Sequence, residues 1–197
     1  MTDTDCRQAS AAAASTALEL FQTAALLLGD ESEAVAAVEQ AVAGVQADPC
    51  ADPVAARQAA EEQLVATAIR RVQQLSRKPG SSDGVPSGAL TPPAENASES
   101  QGCVDTDDLS AAGLTQTQLQ EMLAHSDRAG MRRWLEGLAA GPRVIFVLRA
   151  VLGRSSAQTA NDLKAAGCGD WSSAQVGNSF RTALCSLTSA LLQAVTV

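Results

Sequence analysis

The chain has few aromatic residues and no long apolar run. The first shortage argues against a large core, and the second argues against a membrane-spanning protein. No tyrosine, three phenylalanines and two tryptophans in 197 residues leave little large apolar surface, which favours small helical bundles with shallow cores. No apolar run approaches the roughly 20 residues that a membrane span requires. The acidic opening MTDTDCRQAS is not followed by the apolar core of a signal peptide. We therefore expect a cytoplasmic protein that does not associate with membranes.

The pattern of cysteine and histidine argues against a metal centre or a catalytic centre. The five cysteines are odd in number, widely spaced and without a C-x-x-C pair, which indicates reduced thiols rather than disulfides or a zinc site. His125 is the only histidine, and nothing places it beside a nucleophile. Gly167-Cys168-Gly169 follows no predicted strand and lacks the third glycine of a dinucleotide loop. We expect no cofactor, no metal and no enzymatic activity.

The net charge of −8 is distributed unevenly along the chain. Residues 1–78 carry 6 basic and 11 acidic side chains. Residues 79–108 carry 6 acidic side chains and no basic one, and residues 109–197 carry 8 basic and 5 acidic side chains. Only the last segment has a net field that attracts a phosphate backbone.

Hydrophobic periodicity predicts an all-α fold that begins with a three-helix domain over residues 1–78. The first helix runs from Ala11 to Leu28, and Asp30 with Glu33 forms the N-terminal signal of the second. The third runs from Val54 to Leu75. The predicted inward stripes are Leu18, Phe21, Ala24, Ala25 and Leu28, then Val35, Val38, Val42 and Val45, then Leu64, Val65, Ala68, Val72 and Leu75.

Residues 79–108 are rich in proline, glycine, serine and carboxylates. Such a segment buries too little apolar surface to offset the entropy of ordering it, so it is predicted to be a flexible linker.

A second helical domain is predicted over residues 109–197. Two short helices, Thr115–Leu123 and Ser126–Leu138, precede a helix that opens at Gly141-Pro142 and stops at Gly153. Ser155 or Ser156 would cap the next helix, and Ser172 or Ser173 the last one. The predicted core stripes are Val144, Ile145, Leu148, Val151 and Leu152, then Val176, Phe180, Ala183, Leu184, Leu187, Leu191 and Ala194, with Trp134 and Leu138 beside them.

Two pairs of segments resemble the extracytoplasmic-function sigma factors of bacterial RNA polymerase. VIFVLRAVLGRSSAQTANDL, a turn and AQVGNSFRTALCSL resemble their promoter-binding region 4, a helix-turn-helix. ALLLGDESEAVAAVEQAV and QLVATAIRRVQQLSRK are similar to their region 2, which binds the polymerase core and melts the promoter. The resemblance implies RNA polymerase core and promoter DNA as partners, and an anti-sigma protein as a regulator.

Eleven side chains are candidates for DNA contact, each with a structural alternative. The cluster at the end of the third helix would touch phosphates, although the helix dipole also favours bases there. The polar face of the last helix would read base edges, or is merely a solvated face. The candidates are Arg70, Arg71, Arg77, Lys78, Arg154, Lys164, Gln175, Asn178, Ser179, Arg181 and Thr182.

Two functions follow as hypotheses. In the first, the chain is a transcription initiation factor that binds polymerase through residues 10–78 and promoter DNA, weakly, through residues 141–192. In the second, it is a diverged protein-interaction module that regulates transcription without binding DNA. Arg154, Lys164 and Arg181 are the only bases from residue 154 onward, which limits phosphate contacts and favours the second hypothesis. The order of the two matching regions and the linker between them favour the first.

Overall fold

The computed structural model describes residues 3–77, 90–92 and 128–195, and the secondary structure in these ranges is entirely helical. The all-α prediction is confirmed for this part of the chain. The helix predicted over Thr115–Leu123 and most of the predicted linker lie outside it. The helices are α1 (Asp3–Leu28), α2 (Glu31–Ala43), α3 (Pro53–Arg77), α4 (Arg128–Gly137), α5 (Ala140–Phe146), α6 (Ser156–Ala165) and α7 (Ser173–Val195).

None of the helices in the described ranges is both long and apolar enough to cross a membrane. The chain divides into two compact units, Met1–Arg71 and Val72–Val197. The division falls inside α3, whereas the boundary expected from the sequence follows the end of that helix.

Short polar side chains set the helix starts of the first unit. Asp30 Oδ1 accepts the backbone N–H of Glu33 at 2.9 Å, so the predicted cap of α2 is confirmed. Asp52 Oδ1 accepts the N–H of Ala55 at 2.9 Å in the same way at the start of α3. These bonds satisfy first-turn donors that have no partner within the helix.

The first unit buries alanine where the sequence predicts valine. On α2 the buried residues are Ala34, Ala37 and Ala41, whereas Val35 and Val42 are 45% and 50% exposed. The prediction of an inward position is therefore wrong for Val35 and Val42, whereas Val38 and Val45 are half-buried. The alanine stripe and the valine stripe both repeat every three to four residues, and they are offset from each other by one residue. The alanine stripe is the buried one because small side chains let neighbouring helices approach more closely.

Two further inward predictions in this part of the chain are wrong at single positions. Leu18 on α1 is 58% exposed and Leu75 near the end of α3 is 40% exposed. The neighbouring residues of their stripes remain in the core, with Ala24 and Leu28 buried on α1 and Leu64, Val65, Ala68 and Val72 buried on α3.

The second unit is organised around a fully buried segment that begins in α5 and continues into the turn after it. Residues 144–148 are all inaccessible to solvent, so this segment is buried on every side rather than along one stripe. Phe146 packs edge-on against Trp134 and lies beside Phe180, with ring centroids 4.9 and 5.9 Å apart. Val176, Phe180, Ala183, Leu184 and Leu187 are buried on α7, as predicted. The side chains of Leu191 and Ala194, also predicted there, lie outside the described residues.

The end of α5 continues as one wide, π-type turn over Val147–Val151. The N–H of Leu152 reaches back to the carbonyl of Val147 at 3.2 Å, and that of Arg154 reaches Leu148 at 2.9 Å. Gly153 then ends the helix with a positive φ of 65°, at the predicted stop.

Part of the segment predicted as a flexible linker packs into the second unit. Leu90 is completely buried. A Cβ placed on Gly141 would lie 4.0 Å from Leu90 Cδ2 and 4.0 Å from Trp171 Cη2, so these three residues meet closely. At Leu90–Pro92, then, the chain has a defined place that its composition does not predict.

Candidate nucleic-acid interface

The pair of helices α6 and α7 is joined by the seven-residue segment 166–172 and forms the candidate interface. A reciprocal capping box fixes the start of α6: Ser155 Oγ accepts the N–H of Gln158 at 3.2 Å, and Gln158 Oε1 accepts the N–H of Ser155 at 2.9 Å. This settles the choice between Ser155 and Ser156 as the cap.

A Schellman motif ends α6 where the sequence places its stop. The N–H of Cys168 donates to the carbonyl of Leu163 and that of Gly167 to Lys164, both at 3.0 Å. Gly167 and Gly169 have φ values of 79° and 90°, which side-chain-bearing residues rarely adopt. The connection to α7 is therefore a defined turn, longer than the three or four residues usual in a helix-turn-helix.

A second capping box starts α7, and one of its two residues is Gln175, a predicted base-reading residue. Ser172 Oγ accepts the N–H of Gln175 at 3.1 Å, and Gln175 Oε1 accepts the N–H of Ser172 at 2.9 Å. A glutamine that reads adenine needs that same oxygen for the N6 amino group. Gln175 would have to give up the cap in order to make this contact.

The outward face of α7 is polar and nearly neutral. Arg181 donates from Nη2 to Oδ1 of Asn178. Thr182 Oγ1 donates to the carbonyl of Asn178 at 3.0 Å, and Ser179 is half-buried beside them. The structure therefore brings these four candidates together on one helix, with a single positive charge among them.

The cation of α6 is paired within the interface. Lys164 Nζ lies 2.7 Å from Asp170 Oδ1, although both side chains are largely exposed. The hydrogen bond and the charge of Asp170 raise the pKa of Lys164, and the same contacts from Lys164 lower the pKa of Asp170. A phosphate that approaches Lys164 also meets a carboxylate.

Arg149, which sequence reasoning did not single out, ties the helices of the interface together. Its guanidinium carbon lies 4.9 Å from the centroid of the Phe180 ring on α7, and its Nη1 donates to Ser156 Oγ at the start of α6. A guanidinium over an aromatic face is an attractive arrangement. The wide turn after α5 places this side chain, and periodicity alone gives no signal for such a turn.

The bases predicted on α3 lie in a different setting. Arg71 Nε forms an ion pair with Glu33 Oε2 of α2 at 2.6 Å, and Arg70 Nε donates to the carbonyl of Ala66 at 3.0 Å. The side chain of Arg77 and all of Lys78 lie outside the described residues. Arg154, also predicted, is half-buried just after Gly153.

Most of the positive charge of residues 128–195 lies before the helix pair. This range contains eight basic and three acidic residues, and five of the bases precede Gly153. Arg132 pairs with Glu136 at 3.0 Å. Burial lowers the pKa of Arg143 on α5, with the charge of Glu136 acting in the opposite direction. Three arginines lie within residues 128–133, and this spacing in the sequence already indicates a basic cluster before the helix pair.

No group of three or more His, Cys, Asp or Glu side chains that could hold a metal ion occurs in the part of the chain that the structure describes. Comparisons with protein-family models, curated proteins and solved structures found no match for this chain.

Proposed function

We propose that this chain is a sigma-factor-like transcription protein, which binds RNA polymerase core through the first unit and contacts promoter DNA weakly through α6 and α7. The observation that carries the proposal is the pair of helices with capping boxes at both starts and a Schellman motif between them. These caps fix where the second helix begins and how it is oriented. A helix that enters the major groove needs such a fixed orientation.

Weak rather than tight DNA contact follows from the side chains of the pair. The candidate base readers of α7 are neutral apart from Arg181, and Lys164 is paired with Asp170. Phosphate contacts supply most of the non-specific affinity of DNA-binding proteins, and few bases are in place to make them. Polymerase would supply the remaining affinity by holding the protein at the promoter.

The ion pairs of Lys164 with Asp170 and of Arg71 with Glu33, together with the surface of α2, favour a second candidate. This candidate is a protein-interaction module that regulates transcription without binding DNA. Val35 and Val42 stand on one side of α2 and are about half exposed. Glu31 and Glu39 are exposed on the same helix, which has no basic residue. An apolar stripe with carboxylates beside it suits a protein partner better than a nucleic acid.

A polymerase pull-down combined with a DNA shift assay over a salt series tests both candidates. Val42→Glu should abolish capture of polymerase core, whereas Val54→Glu, at a valine that is 75% exposed on α3, should not. Asp170→Asn should strengthen binding to duplex DNA because it removes the carboxylate beside Lys164. Glu39→Gln, which changes the net charge equally in the other unit, is its control.

The outcomes separate the two candidates. Capture of polymerase together with a DNA affinity that responds to Asp170→Asn supports the sigma-like function. Capture of polymerase with no DNA binding by any of these variants supports the interaction module. Failure to capture polymerase overturns the sigma-like function, and leaves the interaction module only with a regulator as its partner.

A further inference from the structure

The half-buried side chain of Arg149 contacts both helices of the pair. Its guanidinium carbon lies 4.9 Å from the centroid of the Phe180 ring, and its Nη1 donates to the hydroxyl of Ser156. Ser156 is the first residue of α6, and Phe180 lies about two turns into α7. Both partners are buried. One side chain therefore joins the start of α6 to a point inside α7.

The contacts of Arg149 are more directional than the apolar contact between the two helices. The buried side chains of α6 and α7 include Ala160, Leu163 and Val176. Apolar packing of this kind tolerates crossing angles that scatter by about 15–20°. A guanidinium is planar, and both its stacking on a ring and its N–H directions have a specific geometry. Arg149 therefore restricts the angle between α6 and α7 more closely than apolar packing does.

A small change in this angle is large at the start of α7. Ser173 precedes Phe180 by seven residues, which is about 10.5 Å along the helix axis. A rotation of about 15–20° about Phe180 moves the start of the helix by about 3 Å. Hydrogen bonds tolerate a range of only about 0.5 Å. Because the first residues of the second helix read base edges in a helix-turn-helix, the angle decides whether those contacts form.

The position of Arg149 is electrostatically unfavourable for α6. It places a cation at the start of the helix, where the helix dipole favours negative charge. A side chain that breaks a local rule in this way is expected at a functional site. The stability of α6 therefore does not explain the presence of an arginine rather than a neutral side chain.

We propose that Arg149 is a positioning residue for DNA recognition, which fixes the angle between α6 and α7 and thereby lets α7 discriminate between base sequences. This inference rests on the DNA contact proposed above. Arg149 acts through Phe180 and Ser156 and does not itself contact DNA.

The angle is tested in the full chain by residual dipolar couplings of the backbone amides of α6 and α7, which report the relative direction of the two helix axes. Arg149→Met keeps an unbranched side chain without the charge or the planar group, and should change the angle by about 10–20°. Arg133→Met, at an exposed position of α4, should leave the angle unchanged. Ser156→Ala removes only the acceptor hydroxyl and should act in the same direction as Arg149→Met. An unchanged angle in Arg149→Met, or in Ser156→Ala if only that variant folds, would overturn the inference.

Sequence discrimination is tested with 30-base-pair duplexes that the wild-type chain enriches from a random-sequence pool. Arg149→Met should bind the enriched duplexes at least about fivefold less tightly than the wild type, the loss expected for one base contact. It should bind the unselected pool as the wild type does, with the same slope of log K against log salt. A slope flatter by about 0.9 would show that Arg149 itself contacts a phosphate, and would overturn the positioning role.

Arg149→Lys separates the planar group from the charge. Lysine keeps the charge but presents a compact ammonium in place of the planar fork, so it should bind the enriched duplexes as weakly as Arg149→Met. Wild-type affinity in Arg149→Lys would show that the charge is sufficient, and would overturn the inference.

Two further outcomes separate this inference from the proposed function. A changed angle with no sequence enriched by the wild type overturns the proposed DNA contact and supports the hold of Arg149 on α7. A changed angle in Arg149→Met with unchanged affinity for the enriched duplexes overturns the role in recognition and leaves the proposed function intact.

Discussion

Thr159 is the clearest case of a polar side chain that the fold buries at a cost. Thr159 is completely buried on α6, and its hydroxyl has no hydrogen-bond partner among the described residues. Valine has the same shape without the hydroxyl. We expect Thr159→Val to raise the free energy of unfolding by about 1 kcal/mol, since the buried unsatisfied group is removed.

Denaturant titration of the full chain measures this change. Thr182→Val is the control, because the Thr182 hydroxyl donates to Asn178 at the surface and its removal should not stabilise the protein. A fall in stability in Thr159→Val, of the size expected for a broken hydrogen bond, would show that the hydroxyl has a partner.

The pair of Lys164 and Asp170 makes a prediction about pH. The pKa of Asp170 is lowered, so its contribution is present above its unfolded pKa and is lost as pH falls through the folded value. The pKa of Lys164 is raised, so its contribution is present below its unfolded pKa and is lost as pH rises through the folded value. The ion pair therefore acts at neutral pH and disappears at both extremes.

NMR titration of the Asp170 carboxyl carbon checks the acid side of this prediction. Its midpoint should lie below the usual aspartate value in the wild type and return towards it in Lys164→Gln. An identical midpoint in the two proteins would mean that the pair does not persist in solution. Because both groups are exposed, the effect on overall stability should be small.

At the scale of helices, the two capping boxes are the features to test. Ser155→Ala and Ser172→Ala should each lower the free energy of unfolding by about 1 kcal/mol, because each removes the acceptor of a first-turn N–H. Ser173→Ala is the matched control, since Ser173 is exposed and is the first helical residue rather than the cap. Equal effects of Ser172→Ala and Ser173→Ala would contradict the assignment of the cap.

The contact between α5 and α7 should dominate the stability of the second unit. Truncation of Phe180 removes a fully buried ring that faces both Phe146 and Arg149. We expect Phe180→Ala to cost about 3–5 kcal/mol, visible as a large fall in the melting temperature. Thr182→Ala, two residues away on the exposed side, should leave the melting temperature nearly unchanged. A small effect of Phe180→Ala would mean that this face of α7 is not buried.

Helix ends could be predicted from the sequence because their signals are local. Asp30, Gly153 and Gly167 act through bonds or backbone angles within a few residues of their own position. The buried face of α2 could not be predicted in this way. Its alanine and valine stripes have equal spacing, and α2 packs against α1 with the small alanines buried.

The candidate interface was predictable in place but not in its details. Periodicity indicates that Asn178 and Thr182 lie on the outward face of α7, and the structure places them there. The commitment of Gln175 to the cap and of Lys164 to Asp170 depends on side-chain geometry across the turn. Leu90 was missed for a different reason, because one leucine in a polar, proline-rich segment produces no periodic signal.

At the scale of the whole molecule, the charge distribution predicts how DNA binding should depend on salt. If Arg154, Lys164 and Arg181 are the only phosphate contacts, log K against log salt should fall with a slope no steeper than about −2.7. Binding of the full chain to a duplex over a salt series measures this slope.

A steeper slope would show that arginines outside the helix pair also reach phosphates. Arg132 and Arg133 on α4 are the first to examine, because both are exposed in the unit with the most basic residues. Replacement of either arginine by glutamine should then flatten the slope by about 0.9 if that side chain touches a phosphate.

The wide turn over Val147–Val151 has a consequence for how this chain should be aligned with any relative. A π-type turn holds one residue more than an α-helical turn, so deletion of one residue there lets the turn become α-helical. Each residue of an α-helix rotates the chain by about 100°, and such a deletion elsewhere in α5 would turn everything after it out of phase. A homologue with one residue fewer in the stretch 140–152 should therefore carry its gap within this turn, and should still place an arginine over the ring that corresponds to Phe180.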